Sequence, residues 1–227
     1  MSRDCLVTTS WDDGYVTDLK VAELLEKYGM KGTFYIASRS RGLSDADIRS
    51  LDAEMEVGVH GLSHRDLTEL EPIDAMYEVR QGRRELERIV GHGISVFAYP
   101  NGATNEVVKH IVCAEGFRAA RTGKANGLAI PRDPWEWHPS MLLGNHSQLS
   151  SLTMCMRLSG NIVKGLQDWE TRAKWLFAKA LQQGGLYHLV GHSMGRDMQK
   201  MERVFASVSN HAGVRYVTNG EVFAGNS

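Results

Sequence analysis

Two adjacent aspartates, Asp12 and Asp13, give the first chemical signal in the sequence, within the stretch Ser10-Trp11-Asp12-Asp13-Gly14. They follow an apolar run over residues 5–9 that predicts a β-strand. The carboxyl end of a strand is where α/β proteins place ligands and catalytic groups. One acid could therefore bind a cation while the other accepts a proton. Asp-Gly is also common in ordinary turns, so the pair by itself favours a turn.

Two histidines, His60 and His64, form the second signal, directly after the predicted strand Glu56–Val59. Imidazoles four residues apart can reach one ion if their segment forms a helical turn. Two imidazoles and one carboxylate leave a coordination position for water, which is typical of catalytic metal sites. Because the chain has nine histidines, the spacing alone also fits a surface loop with two solvated side chains.

The composition indicates a soluble globular protein. The chain has 227 residues, a formal net charge of −1, 42% hydrophobic residues and 23% charged residues. We expect a single catalytic domain over residues 1–227. A nucleic-acid partner is not expected, because such proteins usually carry a basic stripe. A membrane span is not expected either, because every apolar stretch is far shorter than a bilayer requires.

The amino terminus and the cysteines favour a cytoplasmic location. Residues 1–4 lead directly into the first strand with no leader-like apolar segment. Cys5, Cys113 and Cys155 are odd in number and lie in apolar surroundings. This pattern predicts buried free thiols in a reducing compartment.

Strand and helix patterns alternate about seven times along the chain. Such alternation predicts parallel strands with helices outside. We expect an α/β fold, namely a distorted (β/α) barrel of about seven parallel strands with outer helices. A doubly wound open sheet is the alternative. The predicted helix caps are Asp18, Ser44, Thr104 and Asp168. Residues 144–166 give ambiguous signals, with one helix expected around 149–157.

Four motifs, in order along the chain, resemble those of the polysaccharide deacetylase family, the NodB-homology domain. They are Ser10-Trp11-Asp12-Asp13-Gly14, the segment from Glu56 to His64, Ala98-Tyr99-Pro100-Asn101-Gly102, and Leu189-Val190-Gly191-His192. Each lies at the end of a predicted strand, and together they extend over most of the chain. The resemblance implies a distorted β/α barrel, in agreement with the alternation.

The resemblance also implies roles for individual residues. It implies three metal ligands, namely Asp13, His60 and His64. It implies three groups that act in the reaction: the general base Asp12, the general acid His192 and the amide N–H of Asn101, which holds the oxyanion. The expected cofactor is a divalent metal, with zinc favoured over cobalt and nickel, although such ligands suit several ions. Three other histidines are expected to be structural: His138, His146 and His188.

Four residues are expected to contact the substrate. Tyr99 and Pro100 belong to the third motif, while Trp135 and Trp137 belong to a stretch that matches the family's fourth motif only loosely. Tryptophans could stack on a sugar ring. Packing in the core is the alternative for both, and the more common role of tryptophan.

Two positions depart from the family pattern. The third motif normally begins with an arginine that pairs with the catalytic acids, and Ala98 stands there instead. Asp12 is therefore expected to lack a charge partner and to have a higher pKa. Arg121 could substitute, although a surface ion pair is favoured for it. Gly61 stands where Ser or Thr is usual, so a hydrogen bond that steadies the metal loop is expected to be missing.

The resemblance implies a metal-dependent amidohydrolase that removes an N-acyl group, usually acetyl, from an amino sugar. Without a leader, a cytoplasmic precursor of surface polysaccharide is the favoured substrate. One alternative is a hydrolase of a small cyclic imide or ureide, which the missing arginine brings into consideration. A second alternative is a catalytically silent binding module of the same fold. The expected partner is a small-molecule or glycan substrate, and the oligomeric state is left open.

Overall fold

Strands and helices alternate along the computed structural model, which describes residues 5–39, 41–125, 127–143 and 167–224. The strands are β1 (Cys5–Asp12), β2 (Gly32–Ile36), β3 (Glu56–Val59), β4 (Val96–Ala98), β5 (Ala119–Arg121), β6 (Met141–Leu142), β7 (Gly185–Gly191) and β8 (Val214–Tyr216). The α-helices are α1 (Asp18–Lys27), α2 (Asp45–Glu54), α3 (Pro72–Val90), α4 (Glu106–Ala114), α5 (Trp169–Gln183), α6 (Met198–Val208) and α7 (Asn219–Phe223).

The strands form one parallel sheet in the order β5-β4-β3-β2-β1-β7-β6, and β8 pairs with the first half of β1. The segment after β5 brings the two ends of this order together. Trp137 forms a parallel bridge with Arg121, and β6, a few residues later, pairs with β7. The sheet therefore curls into the predicted distorted barrel rather than a doubly wound open sheet. Because all pairs are parallel, the carboxyl ends of the strands gather at one mouth.

Local sequence signals explain most helix boundaries. Ser44 accepts a hydrogen bond from the Asp47 amide in a capping box, and Asp168 caps α5. Pro72 begins α3, and Gly91 ends it with a left-handed backbone. Two predicted caps are wrong. Asn105, not Thr104, caps α4, since its side-chain Oδ1 accepts a hydrogen bond from the Val108 N–H at 2.9 Å.

The second wrong cap is Asp18, which is the first residue of α1 and is fully buried. The cysteine prediction is wrong in part, because Cys5 is buried but Cys113 is exposed on α4. Cys155 and the expected helix around 149–157 lie outside the described residues. Two short elements, β6 and α7, were not predicted, although the capping box of Thr218 and Glu221 marks the start of α7. In the described part of the chain, no helix is long and apolar enough to cross a membrane.

Candidate active site

The carboxyl ends of three strands bring the predicted site residues together. Asp12 is the last residue of β1, His60 follows β3 and His192 follows β7. Since β1 pairs in parallel with β7 and, through β2, neighbours β3, these ends meet at the same mouth of the barrel. The residues that the motifs singled out are therefore neighbours in space, although they are far apart in sequence.

Asp13, His60 and His64 converge on one point. Oδ1 of Asp13 lies 3.6 Å from Nε2 of His60 and 3.2 Å from Nε2 of His64. All three donor atoms lie within 4.8 Å of one another. Bonds of about 2.1 Å in a tetrahedral site place two ligand atoms about 3.4 Å apart. These separations therefore fit a shared divalent cation.

The polar contacts of the three residues also suit metal binding. Within the described residues, the buried Oδ1 of Asp13 receives no hydrogen bond. Nδ1 of His60 lies 2.7 Å from the carbonyl oxygen of Ala98, and burial lowers the pKa of His60. A neutral ring that donates from Nδ1 to this carbonyl keeps a lone pair on Nε2. Both the acid and the imidazole are thus poised to accept a cation.

The segment from His60 to His64, called the ligand loop below, reaches this geometry through residues with left-handed backbone. It does not form the helical turn that the spacing suggested. Gly61 has φ +79° and His64 has φ +62°. Asp13 and Asn101, with φ of +80° and +56°, are left-handed as well. Such conformations are costly for residues other than glycine and cluster at functional sites. A serine or threonine at position 61 would be strained, which explains the glycine there.

Arg121 lies in the core and pairs with Asp12, so the expectation of an unpaired Asp12 and a surface arginine is wrong. A guanidinium N–H of Arg121 donates to Oδ1 of Asp12, and the two side chains are 2% and 8% exposed. The physical reason is the register of the sheet, in which Arg121 on β5 lies directly beside Ala98 on β4. The arginine expected at position 98 on β4 is thus replaced by Arg121 on the neighbouring strand β5.

The electrostatic consequence for Asp12 is the opposite of the expected one. Burial is the largest single influence and acts to raise the pKa of Asp12. The positive charge of Arg121, those of His60 and His192, and the hydrogen bond from Arg121 together outweigh it, so the net shift is downward. The Arg121 guanidinium also lies 5.1 Å from the centre of the Tyr35 ring and donates to the Thr122 carbonyl. Asp12 is therefore held ionised at the mouth where Asp13, His60 and His64 converge.

A cavity of about 200 Å³ opens at this mouth. Its polar lining consists of Asp12, His60, His64, Asn101, Arg121 and His192. Its apolar wall consists of Leu142, Leu143 and Val190, with glycines between. Nε2 of His192 lies 3.7 Å from Oδ2 of Asp13, and the imidazole is 44% exposed. The cavity therefore joins the ionised Asp12 carboxylate, two of the three converging side chains, His60 and His64, and a solvent-accessible imidazole.

The four residues predicted to contact substrate do not line this cavity. Tyr99, Pro100 and Trp137 are buried, and the Tyr99 hydroxyl donates to the carbonyl of Trp135. Trp137 stacks against His188, with ring centres 4.4 Å apart. The Trp135 ring donates to the carbonyl of Phe117. Trp137 thus lies in the core, and Trp135 is partly buried and packs against it.

The other histidines fit the expected structural role where they are described. His188 is fully buried against Ser10, with Nε2 2.9 Å from the hydroxyl oxygen. His138 lies 2.5 Å from the Thr122 hydroxyl through Nδ1. His146 lies outside the described residues. The apolar wall at Leu142 and Leu143 was missed, because it follows from a two-residue strand that sequence patterns do not reveal.

Comparisons with known proteins agree with this geometry. Residues 2–120 match the family described as polysaccharide deacetylase, which is more than half of the chain. The polysaccharide deacetylase homologue YxkH of Bacillus subtilis (strain 168) is 26% identical over 111 residues. That match covers 46% of this chain and 39% of YxkH, so the chain matches well under half of the curated relative's length.

Solved structures share the fold at low sequence identity. A polysaccharide deacetylase homologue from Mycobacterium smegmatis has a TM-score of 0.68 at 15% identity, covering 98% of this chain and 90% of that one. A family 4 carbohydrate esterase from Streptomyces lividans, solved with acetate, has a TM-score of 0.63 at 14% identity, covering 93% and 91%. BA3943 from Bacillus anthracis, a pseudoenzyme of that esterase family, has a TM-score of 0.60 at 13% identity, covering 92% and 62%. The motifs, the barrel and the family match together show that this chain belongs to the polysaccharide deacetylase family.

Proposed function

We propose that the chain is a metal-dependent hydrolase that removes an N-acyl group, most often acetyl, from an amino sugar. The observation that carries the proposal is the convergence of Asp13, His60 and His64 next to the buried Asp12–Arg121 pair. A cation site beside an ionised carboxylate, at the mouth of a cavity, suits metal-assisted hydrolysis of an amide.

Asp13, His60 and His64 would hold the divalent cation. When bound, the cation supplies Lewis-acid polarisation of the acyl carbonyl and lowers the pKa of the attacking water. Zinc suits two imidazoles and one carboxylate, and cobalt and nickel are the alternatives. The Ala98 carbonyl fixes His60 in the tautomer that can bind.

The remaining residues move protons and hold charge. Asp12 accepts the proton of the attacking water, and its ion pair with Arg121 keeps it in the anionic form that a base needs. The amide N–H of Asn101 donates to the oxygen that becomes negative, a contribution of about 3 kcal/mol for one good donor. His192 gives a proton to the departing amine, and its exposure at the mouth lets it exchange protons with solvent.

The lining of the cavity supports a small acyl group. Leu142, Leu143 and Val190 form the apolar part of the lining, and an acetyl methyl would fit against them. The structural relative from Streptomyces lividans was solved with acetate, which agrees with acetyl as the group removed. The sugar would lie outside the cavity, because a volume of about 200 Å³ is small for a whole glycan unit.

The alternatives have less support. The imide or ureide hydrolase was motivated by the arginine missing at position 98, and Arg121 now fills that place. A silent binding module has a precedent in the pseudoenzyme BA3943, which shares the fold. However, Asp12, His60, His64 and the exposed His192 all line one cavity in this chain, and Asp13 lies within 3.7 Å of the three imidazoles. A silent module has no need for all of them.

A substrate panel tests the proposal. Purified protein loaded in turn with zinc, cobalt or nickel is incubated with N-acetylated amino sugars, short chitin and xylan oligomers, and cyclic imides, and released amine, acetate or ring-opened product is measured. Release of amine and acetate in equal amounts from an amino sugar is the expected result. Activity on imides alone would support the alternative hydrolase, and inactivity on every compound in a metal-loaded protein would contradict the enzymatic proposal.

A further inference from the structure

We propose that Glu78 on α3 is a positioning residue for the metal site, because it fixes the loop that carries His60 and His64. The inference rests on the proposed metal binding. Glu78 is 4% exposed and belongs to none of the motifs. It lies beneath the residues between the two histidines, and it does not line the cavity.

The contacts of Glu78 are with the ligand loop. Oε2 accepts hydrogen bonds from the backbone N–H groups of Leu62 and Ser63, at 3.2 and 2.9 Å. Oε1 accepts from the Ser63 hydroxyl at 2.6 Å. One carboxylate therefore binds three donors of the segment that joins the two imidazoles. Hydrogen bonds to a charged acceptor are about twice as strong as neutral ones.

The carbonyl groups of the loop accept hydrogen bonds from the backbone of the segment that follows β2. The amides of Ser38 and Arg39 donate to the carbonyls of Gly61 and Leu62, at 3.3 and 2.8 Å. With Glu78 on one side and the segment after β2 on the other, the loop has partners for its N–H and C=O groups alike. Loss of Glu78 would remove the acceptor of the buried Leu62 N–H and three hydrogen bonds in all, so the loop would be freer to leave its left-handed conformation.

Gly82 provides a second contact on the same face of α3, four residues after Glu78. A Cβ at this position would lie 2.6 Å from the backbone carbon and oxygen of Gly61 and 2.9 Å from the Leu62 nitrogen. The helix therefore approaches the loop closely enough for the carboxylate to reach it. This arrangement replaces the loop-steadying hydrogen bond that the glycine at position 61 was expected to remove.

Zinc affinity of the purified full chain, measured by competition with a coloured chelator, tests the inference. Glu78→Ala should weaken zinc binding about 10-fold or more, in line with the cost of removing groups that orient metal ligands. Glu78→Gln should stay within about 3-fold of wild type, since its amide oxygen can accept both N–H groups and its NH₂ can donate to the Ser63 hydroxyl. Ser63→Ala, a milder change, should weaken binding about 2- to 3-fold.

Glu87→Ala is the matched control. Glu87 lies on the same helix and accepts a backbone N–H from Ile94 and a side-chain N–H from Arg83, away from the ligand loop. The zinc affinity of the Glu87→Ala variant should stay within about 2-fold of wild type. Should Glu78→Ala fail to fold, Ser63→Ala and Glu78→Gln still decide the question. Wild-type affinity in Glu78→Ala or Ser63→Ala, or equal loss in Glu78→Gln and Glu78→Ala, would overturn the positioning role alone. A wild-type protein that binds no zinc would instead overturn the proposed function.

Discussion

The two sides of the cavity mouth are built in different ways. On the side of β1 and β3, left-handed backbone and hydrogen bonds to the loop aim three ligand atoms at one point. On the side of β5 and β6, Arg121 reaches across to pair with Asp12 of β1, and Leu142 and Leu143 add apolar lining to the cavity. The first side is suited to hold a cation, and the second to control the charge of the base and to exclude water. Metal binding and turnover should therefore be separable by mutation.

Asp12→Asn should give the largest loss of turnover that leaves the metal in place. The amide cannot accept the proton of water, and general-base catalysis typically contributes about 10²- to 10⁴-fold. We expect kcat to fall by that factor while zinc affinity stays close to wild type. The measurement pairs steady-state kinetics with a zinc titration. Asp13→Asn is the matched control, since the neighbouring change should remove the metal as well. Full activity in Asp12→Asn would remove the base from the account.

Arg121→Ala should have the next largest effect, mainly on kcat. Removal of one partner leaves a buried, uncompensated carboxylate, which costs about 3–5 kcal/mol of stability and misplaces the base. We expect kcat to fall about 10- to 100-fold with zinc still bound. The double variant Ala98→Arg with Arg121→Ala moves the guanidinium across one register pair of the sheet. It should recover part of the lost kcat, and a double variant no better than Arg121→Ala would show that the charge is not what matters.

Trp137→Ala should change stability rather than substrate binding. The ring is buried between His188 and Phe223, and truncation of such a side chain costs about 3–5 kcal/mol. Denaturant unfolding should show this loss, while the KM of the remaining folded enzyme should stay near wild type. A raised KM with unchanged stability would return Trp137 to the sugar-binding role that the sequence suggested.

The smallest expected effect is a change in how the free energy of unfolding depends on pH when His188 is replaced. Burial lowers the pKa of His188 well below its usual value, so the unfolded chain takes up this proton first as the pH falls. The contribution of neutral His188 to the free energy of unfolding is complete above about pH 6.5. Below that pH it decreases by about 1 kcal/mol per pH unit. Unfolding free energies of the metal-free protein between pH 7 and 5 should fall less steeply in His188→Gln. Parallel pH profiles for the two proteins would contradict the prediction.

Sequence reasoning succeeded where the signal is local. Asp12 and Asp13 are adjacent, His60 and His64 are four apart, and each pair follows a strand whose apolar pattern is clear. Parallel strands then bring such ends together, so the meeting of Asp13, His60 and His64 at one mouth could be predicted without coordinates.

The pairing of Arg121 with Asp12 could not be predicted in the same way. Arg121 reaches Asp12 because β5 pairs with β4 in a register that places it beside Ala98, and a register between strands more than 20 residues apart leaves no mark in local spacing. The positions of Trp135 and Trp137 could not be predicted for a related reason. Stacking on a sugar and packing in a core require the same residue type, so only the position in the barrel decides between them.

Anomalous diffraction at the zinc edge, from crystals grown with zinc, tests the central claim most directly. The account predicts one strong peak at the mouth of the barrel, about 2.0–2.2 Å from Oδ1 of Asp13 and from Nε2 of both His60 and His64. The Asp12 carboxylate should remain paired with Arg121 rather than bind the ion. A metal-loaded crystal with no peak at these three atoms, or with its peak at another group of ligands, would contradict the account.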